Sequence, residues 1–217
     1  MGIMKRKIII GVALLLTTVL IQPSAHAGQK SVSGITCKAS TAVGHAPMKL
    51  DVPKISRPVK DKTFKLETNC GNIVFKTFGS KAPLTVTAMS YLANNKYFDN
   101  SICHRMVTSG IFIIQCGDPT ASGSGGPAWS YPDENLPTGT GNTYPAGTVA
   151  MANSGPNTNG SQFFFTFKDG SQLGPNYTIW GKVIKGLDIL QYIASKGISS
   201  DGVAPAQALS IISAKAS

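Results

Sequence analysis

The residues of this chain able to do chemistry fall in four short segments. They are His104-Arg105, Phe112-Ile113-Ile114-Gln115, Met151-Ala152-Asn153, and the run Gly155-Pro156-Asn157-Thr158-Asn159-Gly160-Ser161-Gln162-Phe163-Phe164. They combine one arginine, several carboxamides and aromatic rings. Arginine keeps its charge and presents a planar fork of donors. A carboxamide both donates and accepts. Of three histidines, His26 and His45 lie near the N-terminus and only His104 lies within the later part, which excludes a multi-histidine metal site. No C-x-x-C, G-x-S-x-G or phosphate-loop signature is present. Gly123-Ser124-Gly125-Gly126 is glycine-rich, but no Lys-Ser/Thr follows it. Cys103 beside His104 suggests a thiol nucleophile, yet neighbours in a strand point to opposite faces. No metal or cofactor is expected.

Strands must position these groups. Residues 63–68 and 73–78 alternate apolar and polar around the turn 69–72 and predict a hairpin. Further strands are expected at 101–107, 112–116, 148–152, 162–166, 177–183 and 209–213. Pro83 opens a helical spacing of Leu84, Ala88, Met89 and Leu92 that runs to Asn95. A second helix is expected at 187–196, with Leu187, Leu190, Ile193 and Ala194 inward and Gly197 as its stop. Eight short strands with two helices predict a mainly β fold, a closed eight-stranded antiparallel barrel capped by helices. The Gly/Pro/Ser/Asn-rich stretch 118–147 is too long for an ordinary connection and is expected to serve a function.

The chain has 217 residues, 42% of them hydrophobic, and a net charge of +10. That charge invites a nucleic-acid reading, which its distribution removes. Residues 1–27 carry +3, 28–62 carry +5, and 63–217 only +2. Residues 1–27 read as a secretory leader: Lys5, Arg6 and Lys7, about fourteen mostly apolar residues, then Ala25-His26-Ala27. An uncleaved anchor is the alternative, but the run is shorter than the ~20 residues of a spanning helix. Residues 28–61 suit an extended basic tail, either a solvated linker or a contact for an anionic envelope surface. Residues 62–217 form the expected domain.

The four segments, with Tyr97-Phe98-Asp99, Gln115-x-Gly117-Asp118-Pro119 and Tyr177-Thr178-x-Trp180-Gly181-x-Val183 in order, resemble the cyclophilin family of peptidyl-prolyl cis/trans isomerases. The resemblance covers roughly 62–213. The C-H-R…Q-C-G-D-P pair is similar to exported actinobacterial members. The resemblance implies an eight-stranded barrel closed by two helices and no cofactor. It implies that Arg105 is the catalytic arginine and that Phe112, Ile113, Phe164 and Leu173 line a proline pocket. It also implies that Gln115, Ala152, Asn153, Ser154 and Gln162 hold substrate backbone. Tyr177 stands where many members have His, Ile113 where Met is usual, and Gln172 where cyclosporin-sensitive members have Trp. The Arg105–Gln115 interval is two residues longer than in the commonest members. Asn157, Asn159 and Gly160 read as turn formers and Asp118 as structural.

The function so implied is acceleration of X–Pro rotation in exported proteins, by an arginine that stabilises the twisted amide without a covalent intermediate. Expected partners are proline-containing peptides and unfolded exported proteins, not nucleic acid, and the chain is expected to be a monomer. A catalytically idle peptide-binding module is the competing reading, and a Cys103 hydrolase is a third. The even count of Cys37, Cys70, Cys103 and Cys116 suggests disulfides in an oxidising compartment. If Cys103 and Cys116 lie opposite on neighbouring strands they are close enough to bridge, leaving Cys37 and Cys70 to staple the tail. The alternative is that Cys103 and Cys116 stay reduced on opposite faces.

Overall fold

The structure is a computed structural model that describes residues 1–2, 34–55, 57–139 and 141–217. The expected leader, beyond its first two residues, lies outside the described residues. Val32–Ser217 cluster as one unit. In chain order the elements are β1 (Thr63–Thr68), β2 (Gly71–Thr77), α1 (Pro83–Asn94), β3 (Ser101–Ile102), β4 (Arg105–Val107), β5 (Ile113–Cys116), β6 (Thr148–Met151), β7 (Phe163–Thr166), β8 (Ile179–Lys185), α2 (Leu187–Ser195) and β9 (Ser210–Ala216).

All nine strands join one curled sheet in the order β3-β9-β1-β2-β8-β6-β7-β5-β4, with antiparallel pairing throughout. This corrects the closed eight-stranded barrel. The single strand expected over 101–107 breaks at Cys103-His104: β3 pairs with β9, whereas β4 pairs with β5. The two edges of the sheet therefore adjoin along the chain, but no ladder closes them. The hairpin forms with a tighter turn than the expected 69–72: Gly71 and Asn72 join β2, and Thr68 lies opposite Gly71. Gly71 turns at φ +118°, a conformation that favours glycine.

The inner face of the curl is aromatic. Phe64 stacks on Phe75 at 4.9 Å between centroids, and Trp180 meets both edge-on at 5.2 and 5.1 Å. β7 is buried at all four positions, because both of its faces are covered. Phe163 and Phe165 enter this core, while Phe164 faces a second apolar cluster on the other side.

α1 buries Ala88, Met89 and Leu92 as its spacing predicts, together with Val86 and Ala93. It packs against β9, and α2 packs against β2 and β8. Ala82 provides no side-chain cap to α1. Glu134, from the long stretch, supplies it instead. Its carboxylate accepts from Leu84 N–H at 2.9 Å and from Thr85 N–H at 2.8 Å and Thr85 Oγ1 at 2.9 Å. An anion there satisfies orphan amides and complements the helix dipole.

Candidate active site

β4, β5 and β7 run side by side, and their register builds the site. Arg105 pairs with Gln115, and Gln115 pairs with Phe164. Paired residues share a face, so the three project together from the outer side. Arg105 Nη1 donates to Gln115 Oε1 at 3.1 Å. Gln115 Nε2 donates to Gln162 Oε1 at 2.8 Å. Gln162 Nε2 donates in turn to the carbonyls of Gly123 at 3.0 Å and Gly125 at 2.9 Å. Each amide is held with its oxygen toward the arginine and its nitrogen toward the loop. One end of the guanidinium is thus fixed, and its other N–H groups remain for a ligand.

Beside this row lies the second apolar cluster. Ile113, Tyr144, Ala150 and Phe164 are buried in it, and Val107, Ile111, Ala152, Leu173, Tyr177 and Ile179 pack around them. Tyr177 meets Phe164 edge-on at 5.5 Å. Tyr144 Oη donates to the Gly174 carbonyl at 3.1 Å and accepts from Tyr177 N–H at 3.1 Å. Burial raises the Tyr144 hydroxyl to about 12, so it stays protonated and serves as a structural donor.

The structure brings Ile113, Phe164, Leu173, Tyr177 and Ala152 together, but not Phe112. Phe112 packs on the main core, edge-on to Phe167 at 6.0 Å, with Lys168 Nζ 4.6 Å over its ring. Its N–H donates to Ser171 Oγ and its carbonyl accepts from Phe167 N–H. Within β5 Ile113 and Gln115 share a face, and Ile111, in the bend before the strand, packs into the outer cluster. Ile111 and Tyr144 were missed in the sequence. Ile111 lies in the bend before β5 and Tyr144 in a loop, so nothing periodic marks either.

On the far side of Gln115 and Gln162 opens a groove of about 490 Å³. Residues 123–130 form one wall; Ala152, Asn153, Ser154 and Thr158 line the other side. The Asn153 side chain donates to Asn176 O at 2.8 Å and accepts from Gly155 N–H at 3.3 Å. Ser154 N–H donates to Thr158 Oγ1 at 2.9 Å. Asn159 is buried and donates to Pro132 O and Asp133 Oδ1, tying the motif run to the long stretch. The glycine-rich wall directs amides at the chain's own Asp118. Thr120, Gly123 and Gly125 N–H donate to its carboxylate at 2.8, 2.7 and 3.1 Å. Burial pushes the Asp118 carboxyl up, but these bonds and one from Thr120 Oγ1 outweigh it and hold the group below its ordinary value.

Both disulfides form. Cys103–Cys116 and Cys37–Cys70 each have Cα atoms 4.0 Å apart. Continued register would set Cys103 opposite Gly117, not Cys116. The bridge forms where β3 breaks from β4, one residue beyond Gln115 and two before Arg105. Cys103 is therefore no free thiol, and the hydrolase reading falls. Burial lowers the His104 imidazole below its usual value; Asp118 opposes this and Arg105 adds to it. Among the described residues no group of three His, Cys, Asp or Glu side chains could hold a metal.

A barrel-like curled sheet with this row on its outer face defines a class of protein, and comparison with known proteins agrees. Residues 63–216 match the family model of cyclophilin type peptidyl-prolyl cis-trans isomerases, so the chain belongs to the cyclophilin family. It is 38% identical over 183 residues to a probable peptidyl-prolyl cis-trans isomerase B of Mycobacterium leprae, covering 78% of this chain and 62% of that one. It is 34% identical over 187 residues to the Mycobacterium tuberculosis protein of the same name, covering 78% and 59%. The chain thus spans about three fifths of those relatives. The crystal structure of a cyclophilin type isomerase of Cryptosporidium parvum superposes with a TM-score of 0.65 at 31% identity, over 73% of this chain and 98% of that one. A second structure of that protein, in the presence of the dipeptide Ala-Pro, gives a TM-score of 0.63 at 32% identity over 70% and 97%.

Proposed function

We infer that the chain is a peptidyl-prolyl cis-trans isomerase acting on proline-containing peptides. The observation that carries this is the Arg105–Gln115–Gln162 chain beside the apolar surface of Ile113, Phe164 and Leu173. Rotation about a peptide bond meets a barrier of ~18–20 kcal/mol because resonance stiffens C–N. X–Pro bonds populate both isomers and exchange over tens to hundreds of seconds. Twisting destroys the resonance and returns a lone pair to the proline nitrogen. The free guanidinium N–H groups of Arg105 donate to that lone pair. The pull is stronger in the twisted state than in the planar one, which is the condition for acceleration. No bond is made or broken, so neither nucleophile nor cofactor is needed. The apolar cluster receives the proline ring, while Gln115, Ala152, Asn153, Ser154 and Gln162 hold the flanking backbone so that the other side turns. The solved relative's structure in the presence of the dipeptide Ala-Pro supports the substrate class.

Export completes the reading. Residues 1–27 act as a leader, and two disulfides persist best in an oxidising compartment. The isomerase occupies 62–217, works as a monomer outside the cytoplasm, and helps fold other exported proteins. The basic tail 28–61, with exposed Lys49, Lys54, Arg57 and Lys60, suits contact with an anionic envelope.

A protease-coupled assay on a prolyl peptide tests the activity. Faster cis-to-trans exchange with the protein is expected. Peptide binding without acceleration would leave an idle binding module.

A further inference from the structure

The tail is more than a tether. Residues 35–55 form no helix or strand, yet they lie along the domain. One end is fixed by Cys37–Cys70, with Lys38 N–H donating to Asn69 O at 2.8 Å and Asn69 Nδ2 donating back to Lys38 O at 3.0 Å. The other end is fixed near Asp61, whose Oδ1 accepts from Gly79 N–H at 2.8 Å. Between these anchors the segment meets the stretch that carries the groove wall twice, once just before the wall and once on it. His45 N–H donates to Pro119 O at 2.8 Å. A Cβ at Gly44 would fall on the Thr120 carbonyl, so only glycine lets the two backbones approach this closely. Farther on, Leu50 O accepts from Trp129 Nε1 at 2.9 Å, and Trp129 lines the groove.

These contacts hold residues 119–130, which carry the wall, near both ends. Thr120 N–H binds Asp118, Asp118 receives Gly123 and Gly125, and the carbonyls of those glycines receive Gln162. We propose that residues 37–50 are a strap that sets substrate selection, with Gly44 and Leu50 as positioning residues acting through Thr120 and Trp129. The strap fixes the width of the groove that takes the parts of a peptide beyond the X–Pro pair. Arg105 is reached only through two intervening amides, so the strap governs binding of long substrates more than the turning step. This rests on the isomerase reading for the reaction, but not for peptide binding.

Gly44→Val forces the strap off Thr120. Two substrates separate its effect from a general loss of structure: a peptide extended by several residues on both sides of X–Pro, and a capped X–Pro dipeptide. Turnover and binding are measured for both, alongside thermal unfolding. For the extended peptide KM and Kd should rise about tenfold with kcat little changed, the scale that misplacing a positioning contact permits. The dipeptide should be handled as before. The Cys37→Ala, Cys70→Ala pair should shift the extended peptide in the same direction. Val52→Ala is the control, because that residue is 66% exposed and lies outside the strap, and it should change neither substrate. Equal losses on both peptides, or no loss on the extended one, would overturn the proposal. If Gly44→Val does not fold, Gly44→Ala takes its place, and a chain that fails to fold even with alanine makes the strap part of the fold and overturns it too. Wild-type protein that binds both peptides without turning either would refute the isomerase reading, while the Kd values would still decide on the strap.

Discussion

On the inner side of β5 and β7, Ile114 and Phe165 sit opposite each other, sealed in the aromatic core. One residue along, Gln115 and Phe164 form the next pair, and it belongs to the outer row with Arg105. The same strands thus hold the molecule together on one side and present its chemistry on the other. Two-residue periodicity makes this separation possible. It also predicts that damage on the two sides should be of different kinds.

The largest effect is expected inside. Phe165→Ala should cost about 3–5 kcal/mol of stability, read as a melting temperature lower by on the order of ten degrees. The surviving folded fraction should keep its kcat; a selective loss of turnover without loss of stability would break the separation of faces. Outside, Arg105→Ala should leave the melting temperature nearly unchanged. It should lower kcat/KM about a hundredfold, the equivalent of ~3 kcal/mol of transition-state stabilisation. Near wild-type turnover in a folded Arg105→Ala protein would sink the proposed mechanism.

Gln162→Ala tests the amide relay between wall and arginine. Without its Oε1 the Gln115 amide is free to turn its oxygen away from Arg105. A hydrogen bond of ~1 kcal/mol translates into a drop of roughly fivefold to tenfold in kcat/KM. Gln162→Glu sharpens the point: it restores an acceptor for Gln115 but has no donor for Gly123 and Gly125, so rescue should be partial.

The smallest effect concerns His104, at the seam between the two faces. Burial holds its folded pKa below the unfolded value near 6.5, so the unfolded chain takes up the proton first. Stability from this group is complete above that value and falls as pH drops through it toward the folded pKa. Urea midpoints measured from neutral to mildly acidic pH should decline in the wild type. In His104→Gln that part of the decline should flatten. An unaltered slope would mean that other groups carry it.

Much of this was readable beforehand, for physical reasons. The hairpin, α1 and α2 follow from spacing because each buries one face. The run from Gly155 to Phe164 marks the candidate site because its turn and its strand are both local. The break at Cys103-His104 had no local signal, since neither residue is Gly or Pro. It is imposed by pairing on opposite sides, β9 for one half and β5 for the other. The resemblance assigns Phe112 to the proline pocket, whereas its ring packs on the main core against Phe167, as aromatics at strand spacing commonly do. Tyr144 and the strap contacts escaped notice because backbone bonds and loop residues leave no periodic trace.

The seam in the sheet has one more consequence. β3 and β4 are its two outermost strands and contain two and three residues. A long, flat, unpaired edge is a template on which foreign extended chains can assemble. Here the template is nearly absent, because each edge is cut short where the other begins. On the proposed function the protein works among unfolded chains and would otherwise risk seeding their aggregation; on that reading it offers them a groove to pass through and almost no strand to copy.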